Sequence, residues 1–147
     1  MRTEVILPAT DSAAMLARVA LNDAIPPPDL AGRFDDARLA LSEVVANAVV
    51  HGGLRPDRDV LRLTIDNDDD RFRAEVEQAT PAGDAHPVDP WLHDPERPGG
   101  FGLHIVEATA DEWGVDPGPP GHVWFEFRLE NRSEPVLAGD RSSSALT

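Results

Sequence analysis

The chain contains no cysteine, no lysine and no long apolar run. The first absence excludes disulfides, thiol catalysis and thiolate metal sites, and it fits a cytoplasmic protein. Without lysine, the basic side chains are thirteen arginines, set against twenty-seven aspartates and glutamates for a net charge of −14. This charge is spread along the chain, and it argues against nucleic acid as a partner because phosphates would be repelled. No segment approaches the ~18 apolar residues of a membrane span, and the opening MRTEVILPATDS lacks the apolar run of a signal peptide. The expectation is a soluble, unexported protein with no membrane partner. Exclusive use of arginine, with fourteen prolines and abundant alanine, suggests a GC-rich bacterial genome. A length of 147 residues fits one domain, large enough to bury roughly two-thirds of its unfolded surface.

Residues 39–51, LALSEVVANAVVH, carry the densest information. At about 100° per residue they form a helix with Leu41, Val44, Val45, Ala48 and Gly52 on one side and Glu43, Asn47 and His51 on the other. Ala40, Ala46 and Val50 surround the polar pair, leaving two polar groups on a helix that is apolar nearly all round. Burying an unpartnered carboxylate costs several kcal/mol, so Glu43 is expected to face a wet cleft. Glu43 and Asn47 stand one turn apart, where two side chains can converge on one small object. A carboxylate can accept a proton from a hydroxyl or water, and a carboxamide oxygen is a hard ligand for Mg²⁺. From spacing alone a second reading stays open, in which the pair is the polar edge of a core helix and Asn47 bonds to backbone.

Upstream, residues 4–7 form a short β-type run ending at Pro8. Thr10, Asp11 and Ser12 offer caps for a helix through about Asp23, whose buried stripe is predicted as Met15, Leu16, Val19 and Ala20. Prolines 26–28 end it, and Asp29 or Asp35 begins the next helix. Downstream, residues 60–66 alternate as a half-buried strand with Leu61, Leu63 and Ile65 inward. The run DNDDD is a solvated turn, and Phe72, Ala74 and Val76 complete an antiparallel hairpin. Residues 79–98 form a Pro- and Asp-rich loop longer than the ~12–15 residues of a passive connection. Its His86 and His93 match no metal-ligand spacing. Gly99, Gly100, Phe101 and Gly102 lead into a helix over 103–111 with Leu103, Val106 and Ala110 buried. A glycine turn feeding a helix N-terminus is where phosphates bind, and it is equally a tight turn that lets a helix pack closely. Residues 112–115 and 122–129 make a second hairpin, and 131–147 read as a disordered tail after a domain over 1–130. These elements predict an α+β two-layer sandwich, a mainly antiparallel sheet with helices on one face.

Ser42-Glu43-Val44-Val45-Ala46-Asn47-Ala48-Val49-Val50-His51 resembles the N box of the GHKL, or histidine-kinase-like, ATPase superfamily. Gly100-Phe101-Gly102-Leu103-His104-Ile105-Val106, continuing through Ala110-Asp111-Glu112-Trp113-Gly114-Val115 to Val123-Trp124-Phe125-Glu126, is similar to the second glycine box and final hairpin of its anti-sigma-factor serine-kinase branch, especially actinobacterial members. The resemblance covers roughly residues 3–129 and implies the Bergerat-type ATP-binding fold. It implies Glu43 as general base for phosphoryl transfer from ATP to a serine and Asn47 as the Mg²⁺ ligand. His51, Gln78, Arg97, Gly99, Gly100, Phe101, Gly102 and Leu103 would line the nucleotide, with 79–98 as its lid. The implied partners are a sigma factor and a STAS-domain anti-anti-sigma protein, with a homodimer also expected.

One position departs from the family pattern. Gln78 stands where an Asp usually accepts from the adenine amino group, and the loss of one good buried hydrogen bond costs on the order of 1–3 kcal/mol. Asp84 or Asp89 would substitute if the loop folds back. Two functions therefore remain: a Mg-ATP-dependent serine kinase acting as an anti-sigma factor, and a non-catalytic partner-binding regulator on the same scaffold. The ATP-binding part of a histidine kinase is disfavoured, since no dimerising helical hairpin with a phosphoacceptor histidine is present.

Overall fold

A computed structural model describes residues 1–26, 30, 32–51, 54–79, 103–116 and 120–129, with the His51 side chain not among them. In chain order the elements are β1 (Arg2–Pro8), α1 (Ala13–Ala24), α2 (Phe34–His51), β2 (Val60–Asn67), β3 (Arg71–Ala79), α3 (His104–Thr109), β4 (Glu112–Asp116) and β5 (His122–Arg128). The strands form one antiparallel sheet in the order β1-β2-β3-β5-β4.

Period-two alternation gives this sheet two unlike faces. The register aligns Val5, Leu63, Val76, Val123 and Val115 in one row across all five strands. Beside it Phe72, Phe125 and Phe127 cluster with ring centres 5.9–6.2 Å apart. This face carries the helices, and its Leu61, Leu63, Ile65, Phe72, Ala74 and Val76 are fully buried. The opposite face is a ladder of cross-strand ion pairs: Arg2–Asp66, Arg62–Glu77, Arg73–Glu126 and Arg128–Glu112. Such solvated pairs contribute little stability each, and they keep that face in water. The predicted layering, with helices on one face only, is what the structure has.

Three local expectations are corrected. In α1 the predicted inward stripe is largely the outward one: Met15 is 52 % exposed, Leu16 37 % and Val19 48 %, while Ala13, Ala17 and Leu21 are wholly buried. Both stripes are apolar, and the one with small residues faces inward because it lets α1 approach its neighbours closely. Ser12 is the N-cap residue of α1 without a capping side-chain bond, its hydroxyl lying 2.9 Å from that of Thr10. The last helix is shorter than the predicted 103–111, since Ala110 is already extended and Asp111 is drawn into other bonds. The glycine turn, residues 80–98 with His86, His93, Asp84 and Asp89, and the 131–147 tail lie outside the described residues. No helix among the described residues is long and apolar enough to cross a membrane.

The end of α3 is tied to the start of α2. Arg33, which precedes α2, donates to Asp111 Oδ2 (2.7 Å), to the Thr109 carbonyl (2.5 Å) and to the Arg128 carbonyl (3.2 Å). Its guanidinium lies 4.3 Å from the centre of the Phe127 ring. Asp111 Oδ2 also accepts the backbone N–H of Arg128 at 2.5 Å. Burial opposes the charge on Asp111, but the Arg128 N–H, the Arg33 hydrogen bond and the charges of both arginines outweigh it, so its pKa lies below the ordinary 3.8. A carboxylate with a depressed native pKa stabilises fully above its unfolded pKa and loses that contribution as the pH falls through the native value. Asp111→Asn is therefore expected to lower stability by about 1 kcal/mol at pH 7. Urea unfolding should show the difference from wild type shrinking to nothing as the pH is taken below the carboxylate range.

Candidate functional site

α2 is oriented by what it buries. Leu41, Val44, Val45 and Ala48 are fully enclosed against the sheet and α1, together with Ala40. Asp35 and Asp36 in the first turn favour the helix N-terminus through its dipole. With that face committed, Glu43 is half-buried at the rim and Asn47, one turn on, is only 8 % exposed. Ala46 and Val50, predicted to flank the pair, are exposed.

The pair differs in how its polar atoms are met. Glu43 Oε1 accepts the backbone N–H of Ile105, in the first turn of α3, at 3.4 Å, a long and weak bond. Asn47 Nδ2 is buried and has no hydrogen-bond partner among the described residues. A buried unpaired donor costs about 1–3 kcal/mol, which a folded chain retains where something else completes the site. The amide nitrogen of Asn47 is therefore not spent on backbone.

Gln78 lies near the end of β3, opposite Leu61, with its backbone N–H donating to the Gly121 carbonyl at 2.9 Å. The residue is 4 % exposed and continues the inward row of Phe72, Ala74 and Val76, so the one polar member of that row points into the helix layer. Leu103 is half-buried immediately before α3, and its carbonyl accepts the Glu107 N–H at 2.9 Å. Glu43 and the start of α3 are thus brought together, with Asn47 one turn further along α2. His51 ends α2, and its side chain, like Arg97, Gly99, Gly100, Phe101 and Gly102, lies outside the described residues.

Residues 9–124 match the family model of the histidine kinase-like ATPase domain. The chain belongs to this family. No curated protein matches the sequence. The five-stranded antiparallel sheet with helices on one face is the α+β fold of a GHKL ATPase domain, and membership implies ATP binding, typically with Mg²⁺.

The residues present fit that ligand. A carboxamide offers one hard oxygen for a divalent cation and one amide for a phosphate or water, and at Asn47 the amide nitrogen is the orphaned atom. Among the described residues no group of three or more acidic or histidine side chains could hold a metal by itself. Two contributors escaped the sequence reading. The Ile105 N–H is a backbone group with no side-chain signature, and Arg33 meets its partners only across the fold.

Asn47→Leu, close in shape and without the orphaned donor, is expected to unfold at a urea concentration equal to or above wild type when no nucleotide is present. In calorimetric titration it should lose Mg-ATP affinity at least tenfold, about 1.4 kcal/mol.

Proposed function

We propose that this GHKL domain is an anti-sigma regulatory factor that transfers the γ-phosphoryl group of Mg-ATP to a serine of a STAS-domain anti-anti-sigma protein in the cytoplasm. The observation that carries this reading is Glu43, a carboxylate held at a rim by one weak backbone bond, a turn away from the orphaned amide of Asn47. When bound, Mg²⁺ neutralises phosphate charge, and Asn47 would hold it through Oδ1. Glu43 accepts the proton of the serine hydroxyl as that oxygen bonds to phosphorus. The bond from the γ-phosphorus to the bridging oxygen breaks, ADP leaves, and the proton passes from Glu43 to water. The phosphoserine gains about two negative charges, and a protein of net charge −14 disfavours keeping it. The antagonist then departs and the sigma factor becomes the partner.

Gln78 favours a second reading. A neutral, buried carboxamide in place of the family's aspartate supports a regulator that binds its partners with little or no ATP turnover. Radiolabelled phosphate transfer separates the two. Glu43→Gln is expected to lower transfer by about 10²–10⁴-fold while Mg-ATP still binds. If the folded wild-type protein transfers nothing, and partner binding ignores both ATP and Glu43→Gln, the second reading replaces the first.

A second copy of the chain is a further proposed partner. Met1 exchanges both backbone bonds with Asn67, so alternation turns the N–H and C=O groups of Arg2, Glu4 and Ile6 outward along the terminal strand. No described strand pairs with that edge, and exposed Met1, Ile6, Met15, Leu16 and Val19 lie on or beside β1 and α1, whose shared groove Met1, Ile6, Leu16 and Val19 line. Val19→Asp is expected to convert a dimer to a monomer in sedimentation equilibrium. A wild-type protein already monomeric would dismiss the dimer.

A further inference from the structure

The Arg33 cluster lies at the far end of α3 from Glu43, and the phosphotransfer reading makes no use of it. Its placement is nevertheless specific. Helix α3 has six residues and only Val106 fully buried, and a helix that short does not persist by its own hydrogen bonds. Its position is therefore decided by what holds its two ends.

At the carboxyl end, Arg33 takes the Thr109 carbonyl, one of the last carbonyls left without an intrahelical partner. It also holds Asp111 and the Arg128 carbonyl while lying on the Phe127 ring. A planar guanidinium with five donors can meet three acceptors in one plane and stack at once, which an ammonium cannot do. At the amino end, the Ile105 N–H meets Glu43 Oε1. Both grips come from the α2 segment, Arg33 immediately before the helix and Glu43 in its third turn, so α3 runs back along α2 between them. Six residues span roughly 9 Å. Within that length Thr109 Oγ1 donates to the Ile105 carbonyl at 2.5 Å, which links the carboxyl-end grip directly to the residue that meets Glu43.

We infer that Arg33 is a positioning residue for Glu43: by fixing the carboxyl end of α3 it sets where the Ile105 N–H meets the Glu43 carboxylate. That contact, weak as it is, meets Oε1 and favours one orientation of the side chain, with Oε2 as the oxygen to take a proton. The functional half of this inference rests on Glu43 acting as the base; the structural half does not.

The test uses the full chain, labelled with ¹⁵N, as wild type, Arg33→Gln, Arg33→Lys and Glu43→Gln. In Arg33→Gln, hydrogen exchange of the α3 amides is expected to quicken at least tenfold while β2 and β3 amides stay protected. The Ile105 amide resonance should move as it does in Glu43→Gln. Phosphate transfer should fall in kcat by on the order of tenfold with KM for Mg-ATP unchanged, and Arg33→Lys should lie between. Unchanged α3 exchange, or exchange rising equally in α3, β2 and β3, overturns the inference, since Arg33 would then be idle or serve only general stability. If wild type transfers no phosphate, the kinase reading fails by itself, and exchange with the Ile105 shift still decides the clamp. Should Arg33→Gln not fold, Asp111→Asn removes one leg of the cluster and is read the same way.

Discussion

Burial of one stripe of α2 is the interaction on which the other features depend. Leu41, Val44 and Val45 each gain roughly 1.5–3 kcal/mol by leaving water, and turning the helix enough to immerse Glu43 would surrender most of that. Those residues hold the carboxylate at the rim, neither solvated freely nor sealed in the core. Asn47, one turn further, falls just inside the boundary, where its amide is enclosed but unpaired. The site's polarity is thus set by apolar packing on the opposite side of the same helix.

This arrangement carries a cost in stability. An orphaned amide and a polar Gln78 in an otherwise apolar row are not what an optimised core would contain. The rest of the molecule offsets them with a clean division of labour, an aromatic and aliphatic face under the helices and an ion-pair ladder in water. Arg33 belongs to neither face. It joins the beginning of α2 to the end of α3 and to β5, and so links the rigid sheet to a helix too short to hold its own place.

Much of this was legible because local physics is periodic. Leu61, Leu63 and Ile65, then Phe72, Ala74 and Val76, then Val123, Phe125 and Phe127 alternate, and each set lies inward on the sheet. Residues 39–51 carry a helical stripe, and Glu43 and Asn47 interrupt an otherwise apolar helix, so the pair stands out in the sequence alone. In α1 two apolar stripes compete, and periodicity does not decide between them. Ala13 and Ala17 are weakly hydrophobic, and only the closeness of α1 to its neighbours makes them the better inward residues.

The sequence by itself determined the kinds of element, the two-faced sheet and the candidate polar pair, since each follows from residues within a few positions of one another. It also carried the family resemblance, through two boxes of contiguous residues. The tertiary structure decided the strand order, the inward stripe of α1, the orphaned amide of Asn47 and the convergence on Arg33, whose three hydrogen-bond partners lie 76 to 95 residues away. No local pattern encodes such meetings, because they follow from how whole elements pack and not from the period of any one of them.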